Sequence, residues 1–411
     1  MLDRLLKPYQ RFGVHLGLER IQRLLAALDN PQQRVPTIHV AGSNGKGSTC
    51  AYLAAVLTAA GYRVGRYSSP HLIDWTERIY LGDRPISHEE FARLLEIVGQ
   101  AIPPGAESPT QFEVITAAAW LYFAESQVDV AVIEVGLGGR LDATNVCDRP
   151  LVSVITSISR EHWQQLGPTL ADIAREKAGI LKANCPAVIA PQPASVATVI
   201  AERTQLLHCP TIWVAPAVEL PSRQGVRWAS HKGIDYPLSL LGEVQLINSA
   251  LAIAALQILQ QQGWQVPLSD LQAGMAKAQL PGRLQWVEWR DRRLLVDGAH
   301  NPAAAESLRH YVDTLNLPIT WVVGMLCTKD SDGIFEALLR PSDELLLVPV
   351  PDHSTADPEA LAKSALQLCP TLAKVQTFPD VFTALAAATD RQVVLCGSLY
   401  LVGYFLRFYR T

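Results

Sequence analysis

The chain has 411 residues, with 49% hydrophobic and 18% charged side chains and a formal net charge of −4. This length exceeds the usual size of one hydrophobic core, so we expect two domains, and the composition excludes a disordered chain. The negative net charge argues against a general nucleic-acid binder, because such a protein needs a broad positive field to hold phosphates.

Cysteine usage and the chain start indicate the compartment. The seven cysteines form no C-x-x-C pair, which favours a reducing compartment and buried thiols over disulfides or a zinc site. Residues 1–7 are charged and lack a long apolar core, so they do not read as a signal peptide. No apolar run reaches the roughly 20 residues that span a bilayer. We therefore expect a cytoplasmic monomer without a membrane or nucleic-acid partner.

The first predicted elements surround a glycine-rich loop. Apolar positions at helical spacing predict a helix over 16–28. A short apolar strand then leads into Val40-Ala-Gly-Ser-Asn-Gly-Lys-Gly-Ser-Thr49, and a predicted helix follows over 50–60. A strand, a glycine-rich turn and a helix N-terminus bind phosphate, because backbone N–H groups and the positive helix end attract an anion. Lys46 would reach the outer phosphates, and the hydroxyl of Ser48 or Thr49 would hold Mg²⁺.

The loop departs from the common pattern G-x-x-x-x-G-K-[ST]. Val40 stands at the first glycine position, and Gly47 separates Lys46 from Ser48. The alternative interpretation is an ordinary glycine turn between a strand and a helix. A lysine, two flanking glycines and two hydroxyls coincide here, which favours the phosphate loop.

The middle of the chain predicts further strands that end in polar loops. A strand over 62–67 leads to Ser68-Ser-Pro-His-Leu72, and helices are predicted over 89–100 and 110–126. The apolar run 128–135 is typical of a parallel strand covered on both faces. It contains Glu134, and burial of a lone carboxylate costs several kcal/mol, so a cation is implied: Mg²⁺, Lys or Arg. A structural ion pair is the alternative.

Two further candidates follow that strand. Residues 136–145 form a second glycine-rich loop, where backbone can approach a ligand. His162 follows a predicted strand over 151–158, which makes it a candidate ligand, although a lone histidine is usually structural. The helix predicted over 169–182 carries Arg175-Glu-Lys177, which would ordinarily be a solvated helix face.

The last part of the chain repeats the alternation of strand and helix. A helix over 241–256 contains Gln245 and Asn248 as polar breaks, and strands are predicted over 294–297, 321–324, 344–350 and 393–397. The second series has no phosphate loop of its own. We therefore predict an α/β protein, with a mostly parallel P-loop sheet domain over 1–289 and a smaller Rossmann-like domain over 290–411.

Together these motifs resemble the folylpolyglutamate synthase and dihydrofolate synthase family of the Mur ligase superfamily. The resemblance covers nearly the whole chain, and Lys-Gly-Ser in the loop is similar to this family rather than to the cell-wall branch. The motifs occur in family order: Leu16-Gly-Leu-Glu-Arg20, Val40 to Ser48, Ser69-Pro-His-Leu72 with Glu77-Arg78, Phe112-Glu113 with Thr116, Glu134 to Asn145, Arg175-Glu-Lys-Ala-Gly-Ile180, Pro281-Gly-Arg283, Asp297-Gly-Ala-His-Asn-Pro302 and Gly397-Ser-Leu-Tyr400.

The resemblance implies a chemistry. ATP phosphorylates the carboxylate of a pteroate or of a folate's terminal glutamate, L-glutamate attacks the acyl phosphate, and ADP and phosphate leave. Which acceptor is used, or whether both are, stays open. Two alternatives are a Mur-type ligase with another acceptor or amino acid, and a P-loop nucleotide-binding protein that ligates nothing.

The resemblance also implies roles for individual residues. Lys46, Lys177 and His300 would be catalytic, with Lys177 carried as a carbamate and His300 beside the acyl phosphate. Metal ligands for Mg²⁺ would be Ser48, Ser69, Glu134, His162 and Lys177. The pterin-side pocket would hold Phe112, Thr116, Leu141 and Asp142. ATP would be bound by Gly42, Asn44, Gly45, Lys46, Gly47, Ser48, Thr49, Asn248, Arg283 and Asp297. The half of the site formed by Arg283, Asp297 and His300 is expected to lie on or near the second domain.

The chain departs from the family pattern at four places, one of them a slight change at Cys327-Thr328 before Lys329-Asp330. Ser43 replaces the usual threonine and keeps its hydroxyl, whereas Val244 replaces a frequent histidine, so an adenine contact would be lost. The run 161–165, Glu-His-Trp-Gln-Gln, differs from the usual Asp-His-Thr-Asp-Trp but keeps His162.

Overall fold

The computed structural model describes residues 1–10, 15–105, 107–388 and 391–409. The chain divides into two compact units, Met1–Ser239 with Gln245–Gln279 and Leu240–Val244 with Leu280–Thr411. The domain boundary predicted from the sequence, after residue 289, lies further along the chain than Gln279, where the first unit ends. Residues 285–289 form a strand paired with the next one, Gln285 opposite Val296, and so belong to the sheet of the second unit.

The first unit is built on an eight-stranded sheet with the order β4-β3-β2-β5-β1-β6-β7-β8. β2, β5, β1, β6, β7 and β8 run parallel, and β3 is antiparallel to β2. A separate three-stranded antiparallel sheet follows, β9 to β11. The strands are β1 Thr37–Ala41, β2 Val64–Tyr67, β3 Ile79–Leu81, β4 Arg84–Pro85, β5 Val130–Glu134, β6 Val152–Ile155, β7 Ala187–Ile189, β8 Thr211–Trp213, β9 Val218–Arg223, β10 Val226–His231 and β11 Ile234–Pro237.

Helices cover both faces of the large sheet, which is why β1, β5 and β6 are buried along their whole length. α9 is long and apolar enough to cross a bilayer, but 67% of it is buried inside the protein, as in a core helix. The helices are α1 Leu2–Leu6, α2 Glu19–Ala27, α3 Lys46–Ala59, α4 His88–Gln100, α5 Gln111–Glu125, α6 Trp163–Leu166, α7 Leu170–Lys177, α8 Ala194–Leu206, α9 Val244–Gln261 and α10 Leu268–Lys277.

The register of the central strands aligns their carboxyl ends. Val40 of β1 lies opposite Glu134 of β5, and Ala41 lies opposite Ile155 of β6. The loops that follow these three strands therefore leave the sheet at one edge, where α/β proteins bind ligands.

The second unit is a six-stranded sheet with the order β12-β13-β17-β14-β15-β16, parallel except for β12. Its core includes Trp321 and Phe335. This arrangement confirms the predicted α/β class with a Rossmann-like second domain. Its elements are β12 Gln285–Trp289, β13 Arg292–Val296, β14 Ile319–Val323, β15 Glu344–Leu347, β16 Lys374–Thr377 and β17 Gln392–Cys396, with α11 Pro302–Asp313, α12 Ser331–Leu338, α13 Pro358–Leu368, α14 Val381–Ala387 and α15 Leu399–Phe408.

Candidate active site

The loop between β1 and α3 has room only for glycine at two positions. A Cβ on Gly42 would lie 1.8 Å from Thr156 Oγ1, and one on Gly45 would lie 2.2 Å from Asn248 Oδ1. Gly45 also has a φ of +91°, which side chains other than glycine's rarely adopt. Ser43 Oγ donates to the Ser159 carbonyl at 3.0 Å and anchors the loop to the segment after β6. Backbone therefore lines this turn, as a phosphate cradle requires.

Two lysine ammonium groups meet at the carbonyl of Gly42. Lys46, the first residue of α3, donates to it at 2.9 Å and to the Ser43 carbonyl at 3.0 Å. Lys177, at the end of α7, donates to the same Gly42 oxygen at 2.7 Å. Lys177 is 3% exposed, so the solvated-face interpretation fails for it, although Arg175 on the same helix is exposed.

The burial of Lys177, together with its proximity to Lys46, changes the acid–base chemistry of its amine. Burial, reinforced by the charge of Lys46, lowers the pKa of Lys177 to about 7. A substantial fraction of Lys177 is therefore a neutral amine near neutral pH.

Two candidate metal ligands lie close to the loop by sequence and register. Glu134 is buried at the carboxyl end of β5, one strand away from the start of the loop. Ser48, in the first turn of α3, accepts a hydrogen bond from Gln245 Nε2 at 3.3 Å. Asn248 donates to Gln245 Oε1 at 3.2 Å, so α9 contributes a polar pair beside the loop.

The remaining two metal candidates lie in connecting loops. Ser69 precedes a cis peptide bond to Pro70 in the loop after β2. His162 adopts a φ of +49° before α6, and its Nε2 lies 3.7 Å from Glu161 Oε1. Within the described part of the chain, no three or more His, Cys, Asp and Glu side chains are grouped so that they could hold a metal ion. The predicted metal set includes only two residues of those types, Glu134 and His162.

The predicted pterin-side residues adjoin the second glycine-rich loop. A Cβ on Gly136 would lie 2.5 Å from Phe112 Cζ, so the loop packs directly against the start of α5. The Thr116 hydroxyl donates to the Phe112 carbonyl at 2.8 Å and accepts from Tyr67 at 2.9 Å. The Leu141 carbonyl accepts from Gly17 N at 3.4 Å.

Asp142 is buried, and its carboxylate is bonded within its own loop. Oδ2 accepts from Leu137 N at 2.8 Å, and Oδ1 accepts from Thr144 N at 3.0 Å and from the Thr144 hydroxyl at 2.6 Å. Burial raises the pKa of Asp142, and these donors oppose that effect. The hydrogen bonds of Asp142 therefore stabilise the conformation of its own loop.

The second unit carries the other predicted residues in a loop of its own. Asp297 follows β13, and its two carboxylate oxygens accept from Leu284 N at 2.8 Å and from Ala299 N at 2.7 Å. Burial raises the pKa of Asp297, an effect that Arg283 opposes. His300 Nδ1 lies 2.8 Å from the Gly298 carbonyl; because a carbonyl only accepts, Nδ1 carries a proton. Asp297 thus ties the turn that contains Arg283 to the loop that contains His300.

Comparison with known proteins agrees with this geometry. Residues 40–256 match the family model of the Mur ligase middle domain, and residues 283–408 match that of the dihydrofolate synthetase C-terminal domain. The chain is 33% identical to dihydrofolate synthetase of Saccharomyces cerevisiae, over 97% of this chain and 99% of that one. It is 35% identical to dihydrofolate synthase/folylpolyglutamate synthase of Escherichia coli, over 95% of this chain and 90% of the other. The chain belongs to the dihydrofolate synthase/folylpolyglutamate synthase family.

A solved member of this family has the same fold along the whole chain. The structure of Mycobacterium tuberculosis folylpolyglutamate synthase complexed with ADP and AMPPCP superposes with a TM-score of 0.85 at 31% identity, covering 100% of this chain and 98% of that one. The chain is accordingly an acid–amino-acid ligase of an ATP-dependent family in folate metabolism. The predicted family is confirmed, and the interpretation as a nucleotide-binding protein without ligase chemistry is set aside.

Two buried polar residues that contact predicted site residues received no role from the sequence. Gln245 was visible only as a polar break in an apolar helix, and its contact with Ser48 joins residues far apart in the chain. Tyr67 looked like an ordinary strand residue, yet its buried hydroxyl bonds Thr116. Both residues are buried although their side chains carry a polar group.

Proposed function

We propose that this chain adds L-glutamate to dihydropteroate, to the terminal glutamate of a folate, or to both, at the expense of ATP. The observation that carries the proposal is the meeting of Lys46 and Lys177 on one carbonyl of a loop that admits only glycine at Gly42 and Gly45. The names of the relatives, dihydrofolate synthetase and folylpolyglutamate synthase, support the choice of acceptor. We further propose that the protein acts as a cytoplasmic monomer.

The phosphates of ATP would lie against the backbone of residues 42–49. Lys46 would exchange its two carbonyl contacts for phosphate oxygens and neutralise charge on the transferred phosphoryl group. Asn248, Arg283 and Asp297 would bind the rest of the nucleotide, and His300 would border the acyl phosphate. Phe112, Thr116, Leu141 and Asp142 would form the acceptor side.

The donor set proposed for Mg²⁺ fits that cation. Hydroxyls of Ser48 and Ser69 and the carboxylate of Glu134 are the hard oxygen ligands that Mg²⁺ prefers, with His162 as an additional donor. Bound there, Mg²⁺ would neutralise phosphate charge during transfer. Glu134 is buried at the carboxyl end of β5 and lies opposite Val40, which is where the proposal needs this oxygen donor.

Lys177 has the chemistry needed for a carbamate. Its lowered pKa supplies a neutral amine, whose nitrogen attacks the carbon of CO₂ and loses one proton. The ammonium becomes an anion, so repulsion from Lys46 turns into attraction. This change would free the Gly42 carbonyl from one of its two cations.

The acceptor is tested with purified protein, ATP and L-glutamate. Dihydropteroate and tetrahydrofolate are offered separately, and ADP release and product mass are followed. The proposal predicts glutamate-dependent ADP release and a product one glutamyl unit heavier with at least one acceptor. ADP release at the same rate with and without L-glutamate, or ligation only with a different amino acid, would contradict the proposed function.

A further inference from the structure

A buried histidine on β1 is joined to the second glycine-rich loop. His39 lies in the middle of β1, 1% exposed, and its Nε2 is 2.9 Å from Thr144 Oγ1. Thr144 is equally buried and lies two residues after Asp142. No motif in the sequence links residue 39 to residue 144, and the proposed reaction gives His39 no task.

The donor and acceptor groups of His39, Thr144 and Asp142 determine the direction of the hydrogen bonds that join them. Asp142 Oδ1 accepts from the Thr144 backbone N–H and also lies 2.6 Å from the Thr144 hydroxyl. Both oxygens of the carboxylate accept from backbone N–H groups, so the carboxylate is an acceptor. The Thr144 hydroxyl therefore donates its one proton to Asp142. Thr144 Oγ1 must therefore accept from His39, which places a proton on Nε2. Burial, aided by the charge of Lys182, lowers the pKa of His39 to about 3, so the ring stays neutral.

This series of hydrogen bonds, from His39 through Thr144 to Asp142, ends at the face of the loop where the acceptor is proposed to bind. Asp142 closes the loop by accepting from Leu137 N, and Gly136, one residue earlier, packs against Phe112. Leu141, next to Asp142, accepts a bond from Gly17. A change in the orientation of Asp142 would therefore move both the loop backbone and its contact with α5.

We propose that His39 is a positioning residue for the acceptor pocket, acting through Thr144 and Asp142. This inference rests on the proposed function, because it assumes that the pterin acid binds beside Phe112 and the loop 136–145. His39 orients Thr144, Thr144 orients Asp142, and Asp142 fixes the loop. The phosphate loop that follows the same strand begins at Gly42, three residues after His39, and its contacts include Ser157, Ser159 and Thr156 but not Thr144 or Asp142 among those described.

The test compares His39→Leu, which removes the donor, with His39→Gln, whose amide nitrogen can replace Nε2. His231→Leu is the matched control, because His231 is a buried histidine on β10 of the separate three-stranded sheet. KM for the acceptor, KM for ATP, kcat and the melting temperature are measured for each. We expect His39→Leu to raise the acceptor KM about tenfold, the worth of one buried hydrogen bond, while KM for ATP stays within about twofold. His39→Gln and His231→Leu should stay near the wild type.

The outcomes separate positioning from general packing. Equal changes in both KM values, no change, or a His39→Gln variant as impaired as His39→Leu would overturn the inference. Should His39→Leu fail to fold, Thr144→Val and Thr144→Ser give the same comparison, with the acceptor KM raised only by valine; an unchanged KM in Thr144→Val overturns it too. A wild-type enzyme that ligates neither acceptor would contradict the proposed function instead.

Discussion

At the scale of single residues, the site depends on charges held where water would normally screen them. Lys177 and Lys46 share the Gly42 carbonyl, and the cost of burying the second ammonium appears as a pKa near 7. The glycine-rich loop pattern identified Lys46, whereas Lys177 was identified only through the family resemblance, because nothing local to 175–177 distinguishes a buried lysine from a solvated one.

Lys46→Ala should abolish turnover. The variant removes the cation that faces the transferred phosphoryl group, a loss of roughly 10²–10³ in kcat or more for one such contact. Steady-state ADP release at saturating ATP measures it. A variant that keeps kcat and changes only KM for ATP would show that Lys46 merely binds nucleotide.

Lys177→Ala should lose most ligation while it still binds ATP. Alanine cannot form a carbamate, so added bicarbonate should not restore activity. The control is Lys182→Ala, since Lys182 is a half-buried lysine whose pKa is also lowered, chiefly by burial, and it has no proposed role in the site. Ligation rates with and without bicarbonate decide it, and full activity of Lys177→Ala would remove the carbamate proposal.

His39 should make the protein less stable in acid. Its folded-state pKa of about 3 lies below the usual 6.5, so between these values the unfolded chain binds the extra proton. Stability from this group is complete well above pH 6.5 and declines as the pH falls towards 3, by about 2 kcal/mol between pH 8 and pH 5.

Urea unfolding of the wild type and of His39→Gln at both pH values isolates this contribution. Glutamine does not titrate, so the free energy of unfolding of the variant should fall less over the same interval. Parallel curves for the two proteins would mean that His39 has the same pKa in the folded and the unfolded protein.

At the scale of elements, neighbouring residues such as Asn248 of α9 leave no space for a side chain in the phosphate loop, and so require glycine there. Gly45→Ala would place a Cβ 2.2 Å from Asn248 Oδ1 and strain a φ of +91°. We expect ATP affinity to fall more than about tenfold, because α9 must shift from the loop or the loop from α9.

Gly61→Ala is the matched control for that variant. Gly61 follows the other end of α3 with a similar φ of +88°, but a Cβ there meets nothing within 4 Å. It should lose about 1 kcal/mol of stability through strain alone and keep ATP affinity. Titrations of ATP against both variants measure the difference; equal affinities would show that contact with Asn248 is unimportant for nucleotide binding.

Helices and strands could be predicted where the apolar pattern of the sequence was strong. They were harder to predict where pairing with another strand determines the structure. The strands at 130–134 and 152–155 follow from their apolar runs. The helix predicted over 169–182 ends at Lys177, because a 3₁₀ turn over Ala178–Ile180 replaces it. Residues 285–289 fall inside the predicted first domain because no strand was predicted there, whereas they form a strand that pairs with β13 of the second unit.

At the scale of the whole molecule, the sequence motifs predicted fold class and family, and structure and relatives confirm both. Local patterns could not predict the links between distant residues, such as His39 with Thr144 or Gln245 with Ser48. Those links depend on strand register and helix packing, which no short motif encodes.

The central claim is that the acceptor carboxylate is activated by phosphorylation before L-glutamate attacks. The most direct measurement labels that carboxylate with ¹⁸O and analyses the phosphate released during ligation. An acyl-phosphate route transfers one labelled oxygen to each phosphate, in step with a product one glutamyl unit heavier. Unlabelled phosphate formed alongside the same product would contradict the account.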